Sequence, residues 1–178
     1  KSKHIHSNGL LDNLGLAIKI ALDFGVPKKT IIKTVQRIKF EGRVEYINKG
    51  KLKKLLNRNE KLLVDGCHAK KSAQNLYNYL RTIKEPIYGI WGMQKNKFPK
   101  KFIKSFKKIF KKIVTITIPD EPNALKANEL KKISLKNGYK SETALNINQA
   151  IKKCSNNEKK TIIIFGSLYL VGNALGKN

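Results

Sequence analysis

Acidic residues are scarce in this chain: 12 Asp and Glu stand against 38 Lys and Arg in 178 residues, a formal charge of +26. That balance predicts anionic partners, whether nucleic acid, phosphates, acidic lipid or polyacidic substrates. Arginine is scarce too, present only at Arg37, Arg43, Arg58 and Arg81. Nucleic-acid interfaces lean on its planar, bidentate fork. Lysine, asparagine and isoleucine abound instead, the signature of AT-rich coding that fills solvated positions with lysine. Two cysteines, Cys67 and Cys154, are too few for a disulfide framework and point to a reducing compartment. His4, His6 and His68 lack zinc-ligand spacing with either cysteine. No signal peptide is visible. The most apolar stretch, from Ile162 to Leu175, is shorter than the roughly 20 residues of a spanning helix and is interrupted by Gly166-Ser167. A cytoplasmic monomer without membrane or nucleic-acid partners is the expectation. No G-x-x-x-x-G-K-[ST] phosphate loop occurs. The first residue is Lys1 and the single methionine is Met93, so the chain reads as a fragment with chemistry missing upstream.

What is present is a core: 40% of residues are hydrophobic, which excludes a wholly disordered basic tail. Leu10, Leu14, Ala17, Ile18, Ala21 and Leu22 recur at helical spacing up to Gly25. Pro27 suits the first turn of a second helix carrying Ile31, Ile32, Val35 and Ile38. This hairpin over 1–40 differs from 41–178, where strands alternate with helices. Strands are predicted at 43–47, 62–65, 87–91, 113–118 and 161–165, with one helical turn at 51–56. Helices are expected around 73–83, 102–110, 127–135 and 147–154, with a short final one after Gly166. The alternation predicts an α/β fold with a mainly parallel sheet and helices on both faces.

In such sheets ligands bind beyond the carboxyl ends of the strands. This selects the loops 65–71, 92–99, 119–122 and 166–169. Asp65 and His68, three apart on a turn eased by Gly66, can converge on one ligand, or Asp65 can simply cap the following helix. Cys67 beside His68 is not a nucleophile pair, because neighbours on an extended segment point to opposite sides. Ser167 opens a helix, either as an anion-binding hydroxyl or as a plain N-cap. Lys95 and Lys97 follow the third strand, Lys95 reading as solvated and Lys97 as the better anion contact. Arg43, after Gly42 at the junction of hairpin and sheet, suits either a phosphate clamp or a surface ion pair.

The segments LLDNLGLAI, FEGRVEYI, LLVDGCHAKKSA, IWGMQKNK, IPDEPNAL and FGSLYLVGNAL, taken in order, resemble the C-terminal part of folylpolyglutamate synthase, above all the bacterial bifunctional dihydrofolate synthase/folylpolyglutamate synthase type. The resemblance implies a Mur-ligase-like C-terminal domain at 41–178. It makes the hairpin at 1–40 the end of a central ATPase domain. The implied enzyme adds L-glutamate to dihydropteroate or folyl-polyglutamate through an acyl phosphate, using ATP and Mg2+, with the metal ligands upstream and this fragment inactive alone. It implies that Asn13, Arg43 and Asp65 face ATP, that Asp65 and His68 serve catalysis, and that His68, Ser167 and Tyr169 bind glutamate. Lys97 keeps its place in the family's G-M-x-x-x-K-D segment. Ala69, Lys70 and Phe98 replace the family's asparagine, proline and aspartate, and Gly9-Leu10 replaces its H-Q. Competing readings are a non-catalytic paralogue of the same fold and a lysine-rich nucleic-acid-binding module. Against the latter, basic residues are spread through most elements with few aromatics between them.

Overall fold

The apolar periodicities read from the sequence fold into two compact units that divide between Glu41 and Gly42. The computed structural model describes residues 8–178, so His4 and His6 lie outside the described residues. The first unit is a hairpin of α1 (Asn8–Asp23) and α2 (Lys28–Val35). Gly25, at φ 75°, lets the chain leave α1: its N–H and that of Val26 donate to the carbonyls of Leu22 and Ala21, both at 2.9 Å. Pro27 is the cap residue just before α2, one place earlier than the spacing suggests. Ile18, Leu22, Ile31 and Val35 line a groove between the two helices, while Leu16, Phe24 and Ile32 are exposed.

The second unit runs β1 (Glu45–Tyr46), β2 (Glu60–Asp65), α3 (Lys70–Leu80), β3 (Ile87–Trp91), α4 (Pro99–Lys104), β4 (Phe110–Thr115), α5 (Ala127–Lys136), β5 (Ser141–Thr143), α6 (Ile147–Cys154), β6 (Lys160–Phe165) and α7 (Leu168–Lys177). The sheet order is β1-β2-β6-β3-β4-β5. Only β1 is antiparallel to its neighbour. No helix among the described residues is long and apolar enough to cross a membrane.

Side-chain alternation splits the core between the two faces of the sheet. Leu63, Trp91, Ile163 and Phe165 point to the face covered by α3, α4 and α5, through Leu76, Phe102 and Leu130. Leu62, Val64, Ile162 and Ile164 point to the other, covered by α6 and α7 through Ala150, Ile151, Leu170 and Ala174. The β6 strand is therefore buried along its whole length, which is why it reads as a continuous apolar run. Phe165 stacks on Phe110 at 4.9 Å and meets Phe106 edge-on at 5.2 Å. Gly89 makes room for that ring: a Cβ there would lie 2.9 Å from Phe165 Cε1.

Several boundaries differ from the sequence reading, and one strand has no counterpart in it. The helix expected to reach Phe110 stops at Lys104, because Lys107 and Lys108 adopt φ 45° and 60° and turn the chain into β4. That strand ends at Thr115, where its pairing with Trp91 ends, not at Ile118. The edge strand β5 is three polar residues and carries no apolar signal.

Glu60 opens β2 at the amino end of the sheet and is 1% exposed. Its Oε1 accepts the Asn156 N–H at 2.7 Å, and its Oε2 accepts the Asn57 N–H at 2.9 Å and the Ser155 hydroxyl at 2.6 Å. Glu60→Gln would turn an amide N–H2 toward these donors. It is expected to lower stability by about 2–3 kcal/mol in urea unfolding; an unchanged midpoint would contradict this role.

Candidate active site

The carboxyl ends of β2, β6 and β3 lie side by side, with Asp65 opposite Phe165 and Phe165 opposite Trp91. The loops that follow are in contact. A Cβ on Gly66 would lie 2.3 Å from Leu168 Cδ2, and one on Gly166 would lie 2.6 Å from the Gly92 carbonyl oxygen. Gly166 sits at φ 107°, a conformation that only glycine adopts without strain. Close loop packing thus brings Asp65, His68 and Ser167 to one edge.

Asp65 is 5% exposed. Its Oδ2 accepts the Val44 N–H at 3.0 Å and its Oδ1 accepts the Cys67 N–H at 2.8 Å. It does not cap α3, whose first turn is instead tied by Ser72: the hydroxyl accepts from the Ala69 N–H at 3.1 Å and donates to the Ala69 carbonyl at 2.9 Å. Burial pushes the Asp65 carboxyl above the usual aspartate range, and the backbone donors and the Arg43 charge offset this only in part. The Gly66 N–H also donates to the Gly42 carbonyl at 2.8 Å, and the Gly42 N–H to Glu45 Oε2 at 2.8 Å. Arg43, half-buried, rides on this turn between Gly42 at φ 66° and Val44 at φ 46°.

His68 is half-buried at the edge, with Nδ1 2.9 Å from the Gly66 carbonyl oxygen. A carbonyl only accepts, so this contact requires the proton on Nδ1 and leaves Nε2 of the neutral ring as an acceptor. Cys67 points the other way, into the core. Burial, followed by the Asp65 carboxylate, pushes its thiol well above the ordinary range, and burial lifts Cys154 to about 12. Neither thiol is a nucleophile in the folded chain.

Ser167 is 2% exposed and is the N-cap of α7, accepting the Tyr169 N–H at 3.1 Å. That bond uses one lone pair and leaves the hydroxyl proton to donate. Tyr169 projects outward, 62% exposed. Lys97 closes a 3-10 turn in the loop after β3, a loop held by the one after β4 through Leu125 N–H to Met93 O and Lys95 N–H to Asn123 O, both at 2.9 Å. Asn13 lies exposed on α1, in the other unit. One group at this edge has no signal in the sequence. The indole N–H of Trp91 is buried without an acceptor among the described residues, 2.8 Å from where a Gly166 Cβ would sit. Among the described residues, no group of three or more His, Cys, Asp or Glu could hold a metal ion.

Asp65→Asn would set an amide N–H2 against a backbone N–H and is expected to cost about 1–3 kcal/mol. Faster hydrogen exchange at Val44 and Cys67 is the specific sign, and unchanged exchange there would contradict it. Both cysteines should resist iodoacetamide in the native chain and react once it is unfolded; rapid native labelling at Cys67 would show the edge to be open.

Residues 46–177 match the family model described as dihydrofolate synthetase, C-terminal domain. No curated protein sequence matches the chain. Among solved structures, folylpolyglutamate synthase from Mycobacterium tuberculosis, complexed with ADP and AMPPCP, is 19% identical with a TM-score of 0.79, covering 97% of this chain and 40% of that one. The Thermotoga maritima folylpolyglutamate synthase is 22% identical with a TM-score of 0.73, over 97% of this chain and 39% of that one. E. coli FolC in complex with DHPP and ADP is 14% identical with a TM-score of 0.68, over 85% and 34%. The chain therefore spans well under half the length of these solved proteins, and their likeness to it is one of fold.

Proposed function

The chain belongs to the dihydrofolate synthetase C-terminal domain family, and on that footing we propose that it is the C-terminal part of an ATP-dependent ligase that adds L-glutamate to dihydropteroate or folyl-polyglutamate. In this reading the hairpin is the end of a central ATPase domain, whose remainder carries the phosphate loop and the Mg2+ ligands. The chain alone then has no turnover. A carboxylate oxygen of the pteroate or folyl substrate attacks the γ-phosphorus of ATP, and ADP leaves. The glutamate amine then attacks the acyl phosphate carbonyl, phosphate leaves, and the amine loses a proton.

The observation that carries this reading is the His68 geometry. With Nδ1 committed to the Gly66 carbonyl, Nε2 is available to take the amine proton, the role a general base needs. Ser167, one strand over, supplies a hydroxyl to a glutamate carboxylate, and exposed Tyr169, two residues on, adds a second contact to that ligand. Arg43 contacts ATP phosphate, with Asn13 at the nucleotide from the hairpin. Lys97 offers a further cation to an anionic group. Asp65 works by position: its oxygens hold the turns that carry Arg43 and His68, close to both ligands. The acyl phosphate hydrolyses if exposed, so the reaction needs water kept from it.

Kinetics of the complete enzyme test the assignment. His68→Ala should lower kcat/KM for glutamate by about a hundredfold or more while barely changing that for ATP. Arg43→Ala should lower kcat/KM for ATP by about tenfold to a hundredfold, the loss of one charge-assisted contact. Wild-type kinetics in both variants of a folded, active enzyme would remove these residues from the site.

A further inference from the structure

Basic residues are spread through the second unit, and one groove brings six of them together. This groove of about 610 Å3 runs between α3 and α4, lined among the described residues by Lys70, Lys71, Arg81, Lys101, Lys104 and Lys107 and by no carboxylate. Gln74, Asn75 and Asn78 add amide groups along it. Two further grooves carry less: one has Lys126 and Lys153, the other Arg81, Lys84 and Lys111 with Glu85 among them.

We propose that this groove binds a linear polycarboxylate, the oligo-γ-glutamyl tail of a folyl substrate or product. The proposal rests on the ligase reading above and gives that site a second, tail-holding part. Lys70 and Lys71 open α3 just after His68, so the groove starts at the candidate site and leads away from it. Lys71, Asn75, Asn78 and Arg81 follow one another along α3 at helical spacing, over about 15 Å of helix axis. An extended γ-glutamyl unit advances roughly 6 Å over its five backbone bonds. Two to three carboxylates therefore fall within the groove. Each needs ammonium charge and N–H donors, which the lysines and amides provide.

Nucleic acid fits less well. The only aromatic side chain among the described residues of the groove, Tyr77, has the Arg81 guanidinium 5.8 Å and the Lys107 ammonium 5.7 Å from its ring centroid. No bare ring is left for base stacking.

Binding of tetra-γ-glutamate to the purified chain, titrated at fixed ionic strength, tests this without any turnover. The double variant Lys71→Glu/Lys104→Glu is compared with Lys152→Glu/Lys159→Glu, an equal charge change at exposed lysines elsewhere. The groove variant should weaken tetra-γ-glutamate by about tenfold or more and the control by less than about twofold. Monomeric glutamate should be weak for all forms. Equal losses in both variants would overturn the proposal in favour of a diffuse field. So would an oligonucleotide of matched charge that binds wild type more tightly than tetra-γ-glutamate and depends on the same groove lysines. Failure of the ligase reading is seen separately, in the His68 and Arg43 kinetics, which these groove variants do not touch.

Discussion

The Asp65 carboxylate joins the two turns on which the candidate site is built, accepting one N–H from the residue after Arg43 and one from the residue before His68. Val44 is β-branched yet sits at φ 46°, a conformation such residues avoid at a cost of about 1–3 kcal/mol. A hydrogen bond to a charged acceptor contributes about 1.5–3 kcal/mol, enough to offset that strain. The Gly66 to Gly42 hydrogen bond closes the same ring of contacts. Arg43 and His68 are thereby held on one rigid feature, although 25 positions of chain numbering separate them (68 − 43). The cost appears in the raised Asp65 carboxyl, which is buried to serve the backbone.

The remainder of the second unit keeps that feature level with the strand ends. Parallel pairing of β2, β6 and β3 sets three carboxyl termini in a row, and helices bury both faces. Glycines at 66 and 166 then let the loops close against each other without intervening side chains. At the opposite end Glu60 ties the turn before β2 to the segment after α6. The sheet thus carries one buried acid at each end of the same strand, each satisfied by backbone N–H groups from neighbouring turns.

Much of this is legible from periodicity alone. Ile87–Trp91 and Ile147–Cys154 fall where the apolar spacing sets them, because both bury a clear face between unambiguous breaks. The rule that ligands bind at strand ends is enough to select the loops holding Asp65, His68 and Ser167 from the order of elements. Other features leave no local trace. The turn at Lys107-Lys108 is made by two lysines in a left-handed conformation, where glycine would have announced it. The β5 strand is polar and short, defined by its neighbour β4. An aspartate and a glutamate look alike in sequence whether they face solvent or hold backbone; only the long-range partners of Asp65 and Glu60 reveal which.

Trp91 is the single tryptophan of the chain. It is fully buried, with Phe102 and Phe165 stacked near it at 6.3 Å and 6.4 Å, and its N–H faces the Gly166 turn without an acceptor among the described residues. An indole emits according to its local polarity and hydrogen bonding, so this one ring is an optical gauge fixed at the meeting point of three loops. Its emission reports on those loops alone, undiluted by any other tryptophan.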